Sequence, residues 1–98
     1  ATYQIEGETS IEYITNSTPT NVTLPEISAT PTAANSVGVG FTMWICVNSS
    51  VGKNINASGA DEIIRHGSTS IVTTFPTTGG TYYLKKFVAL GLNTWGEF

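Results

Sequence analysis

Charge is scarce in this chain: of 98 residues only four are Lys or Arg and seven are Asp or Glu, for a net charge of −3. All the basic residues fall from Lys53 onward, whereas Glu6, Glu8, Glu12 and Glu26 precede them. Nothing here forms the clustered basic surface that phosphate backbones require, which argues against nucleic-acid binding. A single cysteine, Cys46, allows no internal disulfide, and with one histidine, His66, it cannot complete a Cys/His zinc site. No apolar run reaches the ~20 residues of a bilayer-spanning helix, and the first residues lack the basic-then-apolar order of a secretory signal. Helical periodicity is missing as well. Residue 1 is Ala rather than Met, which fits removal of an initiator Met or, as the favoured expectation, a piece cut from a longer chain with 1–20 as a linker or edge region.

What is abundant is Thr, Ser and Asn, together with ten Gly. Thr favours strands, whereas Gly and Asn supply turns. Period-two alternation marks strands at 3–6, 10–15, 21–24, 37–47, 53–56, 62–65, 69–75, 82–90 and 94–97. Turn signals separate them: Asn16 to Pro19, Asn48 to Ser50, Ala57 to Gly59, His66-Gly67 and Pro76 to Gly80. The segment SATPTAANS, 28–36, reads as a surface loop. The expected architecture is one all-β domain over 1–98, a small antiparallel β-sandwich or barrel-like fold. A chain of this size hides only about two-thirds of its unfolded surface, so its core is thin and association between copies would add stability.

The stretch VGVGFTMWICV, 37–47, carries the sharpest local expectation. Alternation puts Val37, Val39, Phe41, Met43, Ile45 and Val47 on one face of an eleven-residue strand, directed at the core. Trp44 and Cys46 fall on the other face, to be covered by a second layer of the chain or by neighbouring subunits.

Enzyme chemistry finds little support. A Cys46–His66 nucleophile pair needs an exposed thiolate, yet Cys46 lies in an apolar strand and free cysteine is usually buried. Asp61 and Glu62 are adjacent and would face opposite ways on a strand. Glu6 and Glu12 alternate with Ile5, Ile11 and Tyr13, as residues of a solvated face do. Gly38-x-Gly40 lies inside a strand and Gly79-Gly80 precedes no helix, so no phosphate-cradling loop is present. The expectation is therefore a non-enzymatic protein with no cofactor and no metal. The aromatics Tyr3, Tyr13, Trp44, Tyr82, Tyr83, Trp95 and the four Phe are mainly core or interface candidates, with sugar stacking as the sharper alternative. Tyr82 and Tyr83 must point to opposite faces. Four Asn-x-Ser/Thr sequons begin at Asn16, Asn21, Asn48 and Asn56, unsurprising in a chain of this composition.

Several segments in order, NVTLPEI (21–27), GFTMWICVNSS (40–50), KNINASGADEII (53–64), GSTSIVTTF (67–75) and YYLKKFVALGLNTWGEF (82–98), resemble the small β domains of viral fibre proteins, in bacteriophage tail fibres and the surface fibres of large DNA viruses. The resemblance covers 21–98. It implies a homotrimeric fibre domain at the virion surface, structural or engaged in host attachment, with no catalytic motif. On that reading Trp44 and Cys46 are subunit-interface or second-layer residues. The polar loops with Asn48, Ser49, Lys53, Thr77 and Thr78 would meet a cell-surface glycan or protein receptor. Membrane insertion is not expected. The competing expectations are a monomeric carbohydrate-binding or adhesin module of a larger cellular protein and, more remotely, a small hydrolase using Cys46 and His66.

Overall fold

The computed structural model describes residues 2–7, 10–18 and 20–98, and in them the chain is entirely β. Glu8 and Pro19, which figured in the expected acidic group and the first turn, lie outside the described residues. Among the described residues, twelve strands form three sheets. β1 (Thr2–Gln4), β3 (Asn21–Thr23), β7 (Asn54–Asn56) and β10 (Thr74–Pro76) make a four-stranded sheet in that order. β2 (Ile11–Ile14), β6 (Thr42–Val47), β11 (Tyr83–Gly91), β12 (Thr94–Glu97), β8 (Glu62–Ile64) and β9 (Ile71–Val72) make a six-stranded one. β4 (Glu26–Ile27) and β5 (Ser36–Val37) pair by themselves.

The sheets are mixed, not antiparallel as expected. β1–β3, β3–β7, β2–β6, β8–β12 and β4–β5 are parallel, while β7–β10, β6–β11, β11–β12 and β8–β9 are antiparallel. The reason is the route of the chain. Parallel neighbours need a crossover; here the crossover from β1 to β3 is itself a strand, β2, placed in the opposite sheet.

The same sheet switching corrects two strand boundaries. The expected strand 69–75 divides at Thr73 into β9 and β10, which belong to different sheets. The expected strand 37–47 divides into β5 and β6, joined by a turn in which the Phe41 N–H donates to Gly38 O at 3.2 Å. Gly40 sits in that turn at φ 95°, a backbone that only glycine adopts without strain. Alternation therefore held across the glycines by coincidence. Val37, Met43, Ile45 and Val47 are buried and Phe41 is half-buried, but Val39 is 55% exposed at the turn.

One core joins all three sheets. Val22, Ile55 and Phe75 enter it from the four-stranded sheet, and Met43, Ile45, Ile63, Phe87 and Trp95 from the six-stranded one. Ile27 and Val37 close it from the small pair. Fully burying an aliphatic or Phe side chain stabilises by roughly 1.5–3 kcal/mol. The Trp95 indole lies wholly inside and donates Nε1–H to Pro25 O at 3.3 Å, so its polar atom is not stranded. The radius of gyration is 12.4 Å, close to the ~13 Å of a compact chain of about 100 residues.

Candidate functional site

Three regions carry features that the core does not explain. The first is one end of the domain, where the two loops expected to meet a receptor come together. Gly80 N–H donates to Ser49 O at 2.8 Å, Thr77 N–H to Lys53 O at 2.7 Å, and Lys53 N–H to Thr77 Oγ1 at 2.9 Å. A third loop joins them. Asn16 O accepts from Ser49 Oγ at 3.0 Å and from the Lys53 ammonium at 2.6 Å. Ser49 and Lys53 are consequently buried, and both serve as internal ties of the loop cluster. Asn48 and Thr78 are exposed and Thr77 is half-buried, so of the five residues expected to meet a receptor only Asn48 and Thr78 are fully open to solvent. The burial of Lys53 was not legible: a lysine between Gly52 and Asn54 looks like a surface residue until the Asn16 carbonyl is placed above it.

The second region is a buried polar network. Glu97 Oε1 accepts from Arg65 Nε at 2.6 Å and from the His66 N–H at 3.0 Å, and Oε2 accepts from the Tyr83 hydroxyl at 2.5 Å. Arg65 also lies 3.8 Å above the Phe75 ring, in cation–π range. Burial by itself would raise the Glu97 carboxyl. The hydrogen bonds from Tyr83, Arg65 and the His66 N–H, with the Arg65 charge, outweigh it and hold the carboxyl below its ordinary value. Burial and the same carboxylate push the Tyr83 phenol far upward. Both carboxylate oxygens are satisfied, so this network is a structural tie between the turn after β8, β11 and β12. A second buried acid, Asp61, accepts from the Ile27 N–H through Oδ2 at 2.9 Å, while Oδ1 is buried without a partner. Burial, then the Glu26 charge, raise its carboxyl against the lowering effect of the Ile27 N–H.

The third region is the outer face of the six-stranded sheet. The register Ile11↔Trp44 and Tyr13↔Cys46 on one side of β6, with Leu84↔Cys46, Lys86↔Trp44 and Val88↔Thr42 on the other, sets these side chains on a common face. Leu90 and Phe98 close over Gly96, whose added Cβ would lie 2.7 Å and 2.9 Å from their terminal carbons. Ile64, paired with Gly96 and with Ile71, carries the face to the far edge. Ile11, Tyr13, Trp44, Ile71, Leu84, Leu90 and Phe98 are between 42% and 64% exposed. Lys86 is the charge in the middle, its Nζ 5.8 Å from the Phe98 ring.

Trp44 and Cys46 thus share the face expected of them but differ in cover. Cys46 is buried beside Tyr82, whose phenol is pushed up by contact with the thiol, whereas Trp44 is 42% exposed and no second layer formed by the described residues lies above it. Of the two covers expected for this side, a second layer of the chain or neighbouring subunits, the described residues supply one for Cys46 and not for Trp44. Glu12 is also placed otherwise than expected. Ile11 and Tyr13 are the exposed pair, and Glu12, opposite Ile45, is half-buried on the inner side. Alternation reveals that two faces exist, not which one is wet.

The Cys46 thiol and the exposed His66 are joined by no hydrogen bond among the described residues. Among those residues no group of three His, Cys, Asp or Glu side chains is gathered to hold a metal ion. No helix there is long and apolar enough to cross a membrane. Comparison with protein-family models, curated proteins and solved structures finds no match to the chain.

Proposed function

We propose that this chain is a non-enzymatic domain of a virion fibre or tail fibre, assembled as a homotrimer at the virion surface and acting in fibre structure and host attachment. The observation that carries this reading is the uncovered apolar face centred on Trp44. Each large aromatic side chain presents about 150–250 Å² when fully exposed. The three aromatics Tyr13, Trp44 and Phe98, about half exposed, offer roughly 300 Å², and the four smaller aliphatic side chains bring the face to roughly 500 Å², at the upper end of the ~300–600 Å² of a typical monomer's largest patch. A stable interface of ~800 Å² per partner would use this face as its apolar centre. Three copies turning this face to a common axis would bury it and finish the thin core of each. The ordered resemblance over 21–98 supports the fibre assignment, and the exposed loop end with Asn48 and Thr78 would remain available to a receptor.

Size-exclusion chromatography with light scattering tests the reading. The expected mass is three times the 10.4 kDa of one chain. A monomer stable at micromolar concentration would overturn it in favour of a carbohydrate-binding or adhesin module.

A further inference from the structure

We propose that a cleft between the edge strands β1 and β2 binds one uncharged sugar ring, the terminal residue of a glycan. The inference rests on the attachment reading for its biological meaning. Its geometry is independent of it. The cleft has a volume of about 250 Å³ and is lined by Tyr3, Glu12, Tyr13, Thr15, Asn16 and Thr18, with Ile14 at its base. Sites for drug-sized ligands run from roughly 300 to 1,000 Å³, so this one suits a single pyranose and not an oligosaccharide.

Its chemistry is that of sugar recognition. Tyr3 is exposed enough to offer ring surface to the C–H face of a pyranose, while Tyr13, whose ring belongs to the outer face that the trimer would cover, closes the rim. Tyr3 shares the inward side of β1 with its partner position Val22, and Glu12 is on the inward side of β2 opposite Ile45, so the two meet at the open edge between the sheets. The Glu12 carboxylate can accept from vicinal hydroxyls, and charge-assisted bonds of that kind are about twice as strong as neutral ones. Thr15, Asn16 and Thr18 add hydroxyls and an amide. The cleft lining contains no Lys or Arg. Hydrogen bonding to Glu12, burial, and the charges of Glu12 and Glu6 together raise the Tyr3 phenol, a sign of the negative field there. Sialic and uronic acids are therefore disfavoured.

The walls are also held in place. Asn48 Nδ2–H donates to the Tyr13 hydroxyl at 3.4 Å, making Asn48 a positioning residue, and Asn16 is tied from below by Ser49 and Lys53. Fixed walls reduce the ordering cost of binding.

The test is an NMR titration of the ¹⁵N-labelled protein. The neutral probes are methyl glucoside, methyl galactoside, methyl mannoside and methyl N-acetylglucosaminide; methyl sialoside is the anionic probe. At least one neutral probe should shift the amides of Tyr3, Glu12, Tyr13 and Asn16, with a dissociation constant of about 1 mM. The sialoside should shift none. Tyr3→Ala should weaken binding about tenfold. Glu12→Gln, which barely changes side-chain shape, should weaken it severalfold, and Ser70→Ala, at an exposed position outside the cleft lining, should leave it unchanged. No response from any neutral probe, or equal binding by Glu12→Gln and Tyr3→Ala, overturns the site. Mass measured on the same samples separates the two claims. A trimer with a silent cleft removes the cleft alone, and a sugar-binding monomer removes the fibre reading alone.

Discussion

Replacing Glu97 by Gln removes one charge from the middle of the Tyr83–Arg65–His66 network while keeping the side-chain shape. Three donors converge on this carboxylate: Tyr83 at 2.5 Å, Arg65 at 2.6 Å and the His66 N–H at 3.0 Å. A glutamine offers one acceptor oxygen: kept on Arg65 and the His66 N–H, it leaves the amide N–H to face Tyr83, whose hydroxyl must turn round to accept, while the opposite orientation sets the amide against the Arg65 and His66 donors. Breaking a fully buried ion pair costs about 3–5 kcal/mol. The Arg65 side chain is 36% exposed, however, so its charge can turn to water and the cost is smaller. Hydrogen bonds to charged groups contribute about 1.5–3 kcal/mol each, and one to two of the three are degraded. The expected loss is about 2–3 kcal/mol at neutral pH. For a domain of this length, about 4–8 °C per kcal/mol converts it to a melting-temperature drop of roughly 10–20 °C. Urea unfolding at fixed protein concentration, followed by the fluorescence of buried Trp95, measures it directly. The pH dependence has a definite sign. Because the folded-state carboxyl is lowered, its contribution is present above the ordinary glutamate value of about 4.3 and is lost as pH falls through the folded value. The gap between wild type and Glu97→Gln should therefore close in acid. A variant within about 0.5 kcal/mol of wild type at pH 7, or a gap that widens in acid, would refute the network's structural role.

Two further outcomes follow from close contacts. Asp61→Asn keeps an acceptor for the Ile27 N–H but cannot ionise. Because the Asp61 carboxyl is raised in the fold, its contribution is present below about 3.9 and lost as pH rises through the folded value. The variant should thus match wild type in acid and exceed it by about 1 kcal/mol at pH 7 in urea unfolding. A less stable variant at pH 7 would count against that account of the unpartnered Oδ1. Gly52→Ala places a Cβ 2.3 Å from the backbone oxygen of Thr77, so the loop pair must separate. About 2 kcal/mol of lost stability is expected, with faster amide exchange at Thr77 and Gly80. Unchanged exchange there would show that the loops are not locked together.

The sequence carried the class of the fold, and many strands, because Thr-rich alternating runs bounded by Gly and Asn turns leave few choices. The last hairpin was the most legible: β11 and β12 flank Leu92-Asn93, with Asn93 at φ 66°, a conformation asparagine tolerates. Sheet direction was not legible. A strand passing to the opposite sheet, as at Thr73 or across Gly38 to Gly40, keeps its alternation and gives no local signal. The same limit hid the wet face of β2 and the outer side of Trp44. Alternation is blind to which face meets a partner, and the register to β6 decides it. The cleft was hidden for a related reason. Tyr3 and Glu12 are nine residues apart on strands of different sheets, and only their shared edge position brings them together.

The account turns on what covers the outer face of the six-stranded sheet. Sedimentation equilibrium of wild type and Trp44→Lys, across the micromolar range, addresses it most directly. Trp44 is 42% exposed in the single chain, so the lysine variant should fold with an unchanged circular dichroism spectrum. The wild type is expected at three times 10.4 kDa, and Trp44→Lys at 10.4 kDa. A wild type that sediments as a monomer, or a Trp44→Lys variant that stays trimeric, would contradict it.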